Sequence, residues 1–200
     1  MLIYNEKGEA VDTEKLEAYE QFLAKKYVRA NDSVLELGAR YGSVSVCINH
    51  KLNDKKRHIA VEPDERVWDA LSFNRKINKC EFEIIRGFIS SSKLDLVNLD
   101  CYYGGYGSTA IQDENSKIPN YTLQEIKTKY GIPRFSCLVA DCEGFLEQFL
   151  DENPELYAEL ETIIFEADYA EKCNYKKIAE NLFKCGFNPI EQGFQNVWKK

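Results

Sequence analysis

Apolar positions along this chain follow two alternating periods. Leu16, Tyr19, Leu23 and Tyr27, with Phe22 beside them, fall at helical spacing and predict a helix over residues 12–28, with Asp12 or Thr13 to cap it. Ahead of it, residues 2–11 read as a small hairpin turning at Lys7-Gly8. Short apolar runs at 33–37, 58–61, 82–89, 136–140 and 162–165 predict strands. Between them, helical patterns cover 43–52, 64–77, 144–150, a turn or two after Pro154, and 175–185, where Gly186 stops the last one. Thr122-Leu123-Gln124-Glu125 is a capping box that opens a short helix ending near Gly131. Residues 94–99 suit a short extra strand, 101–120 read as a long loop, and 187–191 with 194–199 predict a closing antiparallel pair around Gln192-Gly193.

Strands alternating with helices predict an α/β fold: a mostly parallel sheet with helices on both faces and an antiparallel C-terminal edge pair. At 200 residues the chain suits a single domain, with residues 1–30 as an N-terminal hairpin and helix extension on a core of 31–200. Ligands of such sheets bind beyond the carboxyl ends of the strands. Four of the predicted strands stop at residues with chemical potential there: Gly38, Glu62, Asp141 and Glu166. The first of these turns, Glu36-Leu37-Gly38-Ala39-Arg40-Tyr41-Gly42-Ser43, joins a strand to a helix start. Its glycines are spaced more widely than in a pyrophosphate-binding fingerprint, which favours a nucleoside ligand without phosphate over a dinucleotide. Glu62, about 20 residues on, stands where an acid accepts ribose hydroxyls.

Composition narrows the ligand class. A net charge of −7 excludes broad attraction to nucleic acid or an anionic membrane and suits a neutral or cationic small molecule, or a glycan. The seven cysteines form no Cys-x-x-Cys pair, which argues against a zinc site or disulfide framework and for a reducing, cytoplasmic setting. No apolar run suits membrane insertion, and the first residues lack the pattern of a signal peptide.

With these blocks in order, the sequence resembles the FkbM-type methyltransferases, a branch of the class I enzymes that use S-adenosyl-L-methionine (SAM). The similarity runs from about Ser33 to Trp198. It rests on Glu36–Gly42, Val61-Glu62-Pro63-Asp64, Asn74–Asn78, Tyr121–Ile126, Leu138–Gly144, Gly186-Phe187 and Asn196-Val197-Trp198. The resemblance implies a Rossmann-like class I methyltransferase fold, SAM as methyl donor, S-adenosylhomocysteine as product, and O-methylation of a sugar or small hydroxylated metabolite. By position it implies cofactor contacts from Glu36, Gly38, Ala39, Tyr41, Gly42 and Ser43, from Glu62 and Pro63 at the ribose, and from Gly87 and Phe88 at the adenine. The sequence departs from the family pattern at Arg40, where a small polar residue is common, and at Val139, where lysine is common.

Methyl transfer to a sugar hydroxyl needs a base or a metal. The two histidines, His50 and His58, fall away from the strand ends and read as structural. Carboxylates remain: Asp141, Glu143 and Glu166 are the candidate catalytic acids, and Asp141, Glu166 and Asp168 are candidate ligands for Mg²⁺ or Mn²⁺. Tyr102, Tyr103 and Tyr106, in a glycine-rich stretch, are candidate substrate-stacking residues. With no acceptor-recognition domain in view, a glycosyltransferase in the same polypeptide or pathway is the expected partner. Two readings compete: a non-catalytic SAM-fold binding module, and an NAD-linked oxidoreductase, which the glycine spacing opposes.

Overall fold

The structure is a computed structural model that describes residues 1–97 and 107–200. Its centre is a seven-stranded sheet. Four parallel strands form its middle: β1 (Val34–Leu37), β2 (His58–Glu62), β8 (Cys137–Ala140) and β9 (Thr162–Glu166). All residues of β1, β2 and β8 are buried, as strands covered on both faces must be, and this is why they read as unbroken apolar runs. β3 (Glu83–Arg86) extends the parallel set at one edge. At the other edge β11 (Gln195–Lys199) runs antiparallel to both β9 and β10 (Asn188–Glu191). The resulting order is β10-β11-β9-β8-β1-β2-β3.

Alternate residues of each central strand feed opposite layers. Leu35, Leu37, Leu138 and Ala140 join the larger core with Phe135, Phe149 and Ile163. Val34, Cys137 and Val139 face the other way, against Leu23 and Ala24 of α1 (Ala18–Tyr27) and Ile48 of α2 (Ser43–Lys51). A third apolar cluster joins Ala60 of β2 to Ala70 and Leu71 of α3 (Trp68–Ile77), with Ile3 from the N-terminal segment. Chain order reverses between β1 and β8, so the crevice beyond their carboxyl ends is the switch point where an open α/β sheet takes its ligand.

Asn74 explains one of the sequence blocks. Its fully buried amide donates to the carbonyls of Tyr4 (2.8 Å) and Tyr41 (2.9 Å), and its oxygen accepts from the Tyr4 N–H (2.9 Å). One side chain thereby ties the N-terminal segment to the turn after β1. That segment carries a single antiparallel bridge, Tyr4 to Ala10, with Gly8 at the turn (φ 77°), in place of a full hairpin.

The helix expected over residues 12–28 begins only at Ala18, because Glu17 sits in the left-handed region (φ 49°) and breaks the run. The strand expected over 82–89 is cut at Gly87 (φ 140°), where a Cβ would lie 2.1 Å from the Pro119 carbonyl oxygen. Beyond it, β4 (Phe88–Ile89) leaves the main sheet to pair with β7 (Asn120–Tyr121). Residues 101–120 are not all loop: β6 (Thr109–Gln112) pairs antiparallel with β5 (Leu94–Val97). The capping box is present as read, opening α4 (Leu123–Tyr130), which Gly131 ends in a left-handed turn (φ 64°). The remaining helices are α5 (Leu146–Glu152), α6 (Leu156–Glu159) and α7 (Tyr175–Lys184). Among the described residues no helix is long and apolar enough to cross a membrane.

Candidate active site

The turn after β1 is built against the turn after β8. Gly38 (φ 83°) donates its N–H to the Val61 carbonyl at 3.0 Å, and a Cβ on it would stand 1.7 Å from the Asp141 carbonyl oxygen. Only glycine lets the two turns touch. They border a cleft beyond the carboxyl ends of the strands, where an open α/β sheet takes its ligand. Of the residues predicted from the sequence, Gly38, Glu62, Pro63, Phe88, Asp141 and Glu143 line this cleft together. Phe88, with Ile89, Leu96 and Phe145, makes an apolar wall, and Phe88 meets Phe145 edge-on with centroids 6.2 Å apart.

Glu62 is fixed from two sides. One carboxylate oxygen accepts the Arg40 N–H at 2.6 Å and the other the Asp64 N–H at 2.7 Å. Each oxygen keeps a further lone pair. Burial pushes the carboxyl up to about 7, although both N–H groups and the Arg40 charge pull the other way. Arg40, itself left-handed (φ 42°) and buried, neither reaches into solvent nor extends across the cleft: its guanidinium pairs with Asp64 at 3.2 Å and lies over the Tyr41 ring. Burial would raise Asp64, but hydrogen bonds from the Arg66 side chain and N–H, with the charges of Arg66 and Arg40, hold it below the usual carboxylate range.

Other predicted cofactor residues stand behind the cleft. Glu36 is buried and hydrogen-bonded at 2.9 Å to Nε2 of His58, which is fully buried and structural as expected from the sequence. Glu36 borders a smaller adjoining cavity. Ala39, Tyr41, Gly42, Ser43 and Gly87 do not line the main cleft: Tyr41 donates its hydroxyl to Glu6, and Ser43 donates to Glu17. Tyr102, Tyr103 and Tyr106 lie outside the described residues. Glu17, Arg40 and Asp64 are charged residues of the cleft that the sequence did not place among the cofactor contacts.

At the other end, carboxylates crowd together. Oxygens of Asp141, Glu143 and Asp168 lie within 4.8 Å of one another, an arrangement able to hold a cation among the described residues. Asp141 Oδ1 and Asp168 Oδ2 are buried without a hydrogen-bond partner, whereas Asp168 Oδ1 accepts from the Gly144 N–H (3.1 Å) and Tyr175 hydroxyl (3.0 Å). Of the expected trio Asp141, Glu166 and Asp168, this cluster holds Asp141 and Asp168, with Glu143 beside them. The left-handed backbone of Glu143 (φ 52°), followed by Gly144 (φ 85°), turns the chain sharply after β8. Glu166 faces away toward α1, where Gln195 Nε2 reaches it at 2.5 Å and also holds Glu20 at 2.6 Å. Burial, then the charges of Glu166 and Glu143, drives the Asp141 carboxyl well above the ordinary range. Glu143 is pushed up to about 8 by burial and Asp168, and Glu166 to about 9 by burial and Glu20.

These shifts fix the sign of a pH effect. Glu17 and Glu62 each ionise near 7 in the fold against 4.5 ordinarily, so between those values the native chain holds protons that the unfolded chain has lost. Their stabilisation is complete below pH 4.5 and disappears as pH rises through 7. For Glu62 alone this is on the order of 3 kcal/mol. Thermal unfolding followed by circular dichroism should therefore show a midpoint that falls from pH 5 to pH 9. A midpoint that climbs over that range contradicts the assignment.

No protein-family model and no curated protein matches this sequence. Solved structures do match in shape. A precorrin-6y C5,15-methyltransferase from Geobacter metallireducens superposes with a TM-score of 0.54 at 13% identity, over 93% of this chain and 89% of that one. A precorrin 8w decarboxylase from Methanobacterium thermoautotrophicum gives 0.52 at 14% identity, over 92% and 88%. A protein of the NADB-Rossmann superfamily from Streptococcus agalactiae gives 0.54 at 8% identity, over 90% and 67%. Together with the strand order and the antiparallel edge, these likenesses give the chain the Rossmann-like fold of class I methyltransferases.

Proposed function

We propose that this chain is a SAM-dependent O-methyltransferase of the FkbM type, acting on a hydroxyl of a sugar or small metabolite. One observation carries the reading: Gly38, Glu62 and Asp141, distant in sequence, line a single cleft at the switch point of the sheet. SAM supplies an electrophilic methyl group on a sulfonium. The residues present fit such a ligand. Glu62 has lone pairs free for two ribose hydroxyls, Phe88 and its neighbours offer an apolar face to adenine, and the acids beyond Gly38 suit a cationic centre.

Asp141 and Glu143 stand at the reaction end. A carboxyl held above its ordinary range is a stronger base once ionised, which suits removal of a proton from an acceptor hydroxyl. The Asp141, Glu143 and Asp168 oxygens also fit a hard divalent ion such as Mg²⁺ or Mn²⁺, whose charge would satisfy the orphaned oxygens and acidify a bound hydroxyl.

Titration calorimetry with SAM, S-adenosylhomocysteine and NAD tests the cofactor. Micromolar binding of the first two and none of NAD is expected; binding of NAD alone overturns the proposal. Labelled SAM with a panel of acceptor saccharides then tests the reaction. Adding a chelator to the active mixture is expected to lower turnover at least tenfold, with recovery on excess Mn²⁺. Turnover indifferent to chelation removes the metal from the scheme and leaves the carboxylates as the base.

A further inference from the structure

Asn74 is completely buried within α3, at a position where an apolar side chain would be the ordinary choice. Its amide gives both N–H groups to carbonyls, those of Tyr4 and Tyr41, and its oxygen takes the Tyr4 N–H. The pair of bonds to Tyr4 fixes the N-terminal segment. That segment is also seated by Ile3, which is buried in one cluster with Ala39, Tyr41 and Leu71. The bond to the Tyr41 carbonyl reaches a different place, the turn after β1.

That turn has two holds. At its start, the N–H groups of Gly38 and Ala39 donate to the Val61 carbonyl at 3.0 and 3.1 Å. At its end, Leu71 and Asn74 meet it from one face of α3. A Cβ on Gly42 would stand 2.8 Å from Leu71 Cδ1, and the Asn74 amide holds the Tyr41 carbonyl at 2.9 Å. Between the two holds lies Arg40, whose left-handed backbone (φ 42°) is strained for a residue with a β-carbon and needs such support. Its N–H is the one that grips Glu62, at 2.6 Å. The other grip, the Asp64 N–H, comes from the chain just past β2 and owes nothing to the turn.

We propose that Asn74, which lines no part of the cleft, is a positioning residue for Glu62: by holding Tyr41 it sets the Arg40 N–H that aims the carboxylate at the ribose hydroxyls. The inference rests on the SAM reading and deepens it. Without the Asn74 bond, packing alone holds the far end of the turn. The Arg40 backbone then relaxes from its strained conformation and draws its N–H away from Glu62. One carboxylate oxygen loses its fixed donor, and the lone pairs that face the hydroxyls lose their direction. The apolar wall of Phe88, Ile89, Leu96 and Phe145 stands on other elements and is untouched. Loss of Asn74 therefore removes recognition of the ribose hydroxyls and spares recognition of the base.

The test is a ratio of two nucleosides, adenosine and 2′,3′-dideoxyadenosine, which differ only in the hydroxyls assigned to Glu62. Each is titrated against labelled SAM bound to wild type and to Asn74→Leu, a side chain of similar size with no hydrogen bond to give. Wild type is expected to prefer adenosine by about tenfold or more, since two hydroxyls donate to one carboxylate. Asn74→Leu is expected to cut that preference by about threefold or more, the loss of a bond to a charged group. Asn74→Ser, too short to reach the Tyr41 carbonyl, is measured in the same way if the leucine variant does not fold. A variant that weakens both nucleosides alike, or changes the preference by less, makes Asn74 a purely structural residue and overturns the inference while the SAM reading stands. A wild type that binds SAM without preferring adenosine takes Glu62 away from the ribose and the inference with it. A wild type that binds no SAM overturns both readings.

Discussion

Gly38→Ala is expected to cost more than about 4 kcal/mol of folding stability, which places it among the few most damaging single substitutions. Its added Cβ would lie 1.7 Å from the Asp141 carbonyl oxygen and 2.9 Å from that carbonyl carbon, both backbone atoms that cannot swing aside. The left-handed φ of 83° adds strain of its own. Relief requires the turns after β1 and β8 to separate, which opens the floor of the cleft. Gly42→Ala makes the control. It has the same φ of 83°, but its Cβ would meet Leu71 Cδ1 at 2.8 Å, the far end of a flexible side chain. Backbone strain then dominates, and a loss of about 1–2 kcal/mol is expected. Urea unfolding of both variants measures the contrast. A Gly38→Ala protein within 1 kcal/mol of wild type, on the scale of ordinary surface substitutions, would mean the turns are not in contact as described.

The parts of this molecule legible in its sequence are those that burial on both faces makes unambiguous. β1, β2, β8 and β9 are short apolar runs because helices cover them above and below, and the helices between them show their periods because each has one dry face. β6 was illegible for the opposite reason. Its burial passes from Thr109, fully buried, to exposed Ile111 and Gln112 without alternation, and pairing with β5 is what makes it a strand. Glu17 was hidden because Leu16, Tyr19 and Leu23 keep helical spacing straight through the residue that breaks the helix.

The site was legible as a set of strand ends and only partly as a set of contacts. Glu166 ends β9, but it stands in register with Gln195 of β11, and its carboxylate meets that side chain and not the cleft. Glu143, three residues past the end of β8, enters because the chain turns sharply there. The pairing of Glu36 with His58 did have a signal. Val34 is in register with His58 and Glu36 with Ala60, so the acid and the histidine stand on one face of adjacent strands. A buried acid and a buried histidine so placed hydrogen-bond to each other, and Glu36 also borders the smaller cavity.

Asp141→Asn separates stability from activity at the reaction end. Asparagine keeps the shape of the side chain and removes the charge that Glu166, Glu143, Glu17 and Asp168 oppose. A carboxylate ionised among four others in a buried setting is a cost to the apo fold, so the variant measured in chelator at pH 8 is expected to be about 1–2 kcal/mol more stable than wild type, in keeping with the stability–function trade-off at active sites. Methyl transfer from labelled SAM should fall about 10³-fold, the range over which a positioned acid–base group acts. Mn²⁺ binding should weaken with it, because the Asp141, Glu143 and Asp168 oxygens form one cluster and loss of one anionic ligand leaves two. The two readouts must move in opposite directions. A variant that loses stability and activity together would make Asp141 a structural acid, and one that turns over within tenfold of wild type would place the base elsewhere in the cleft.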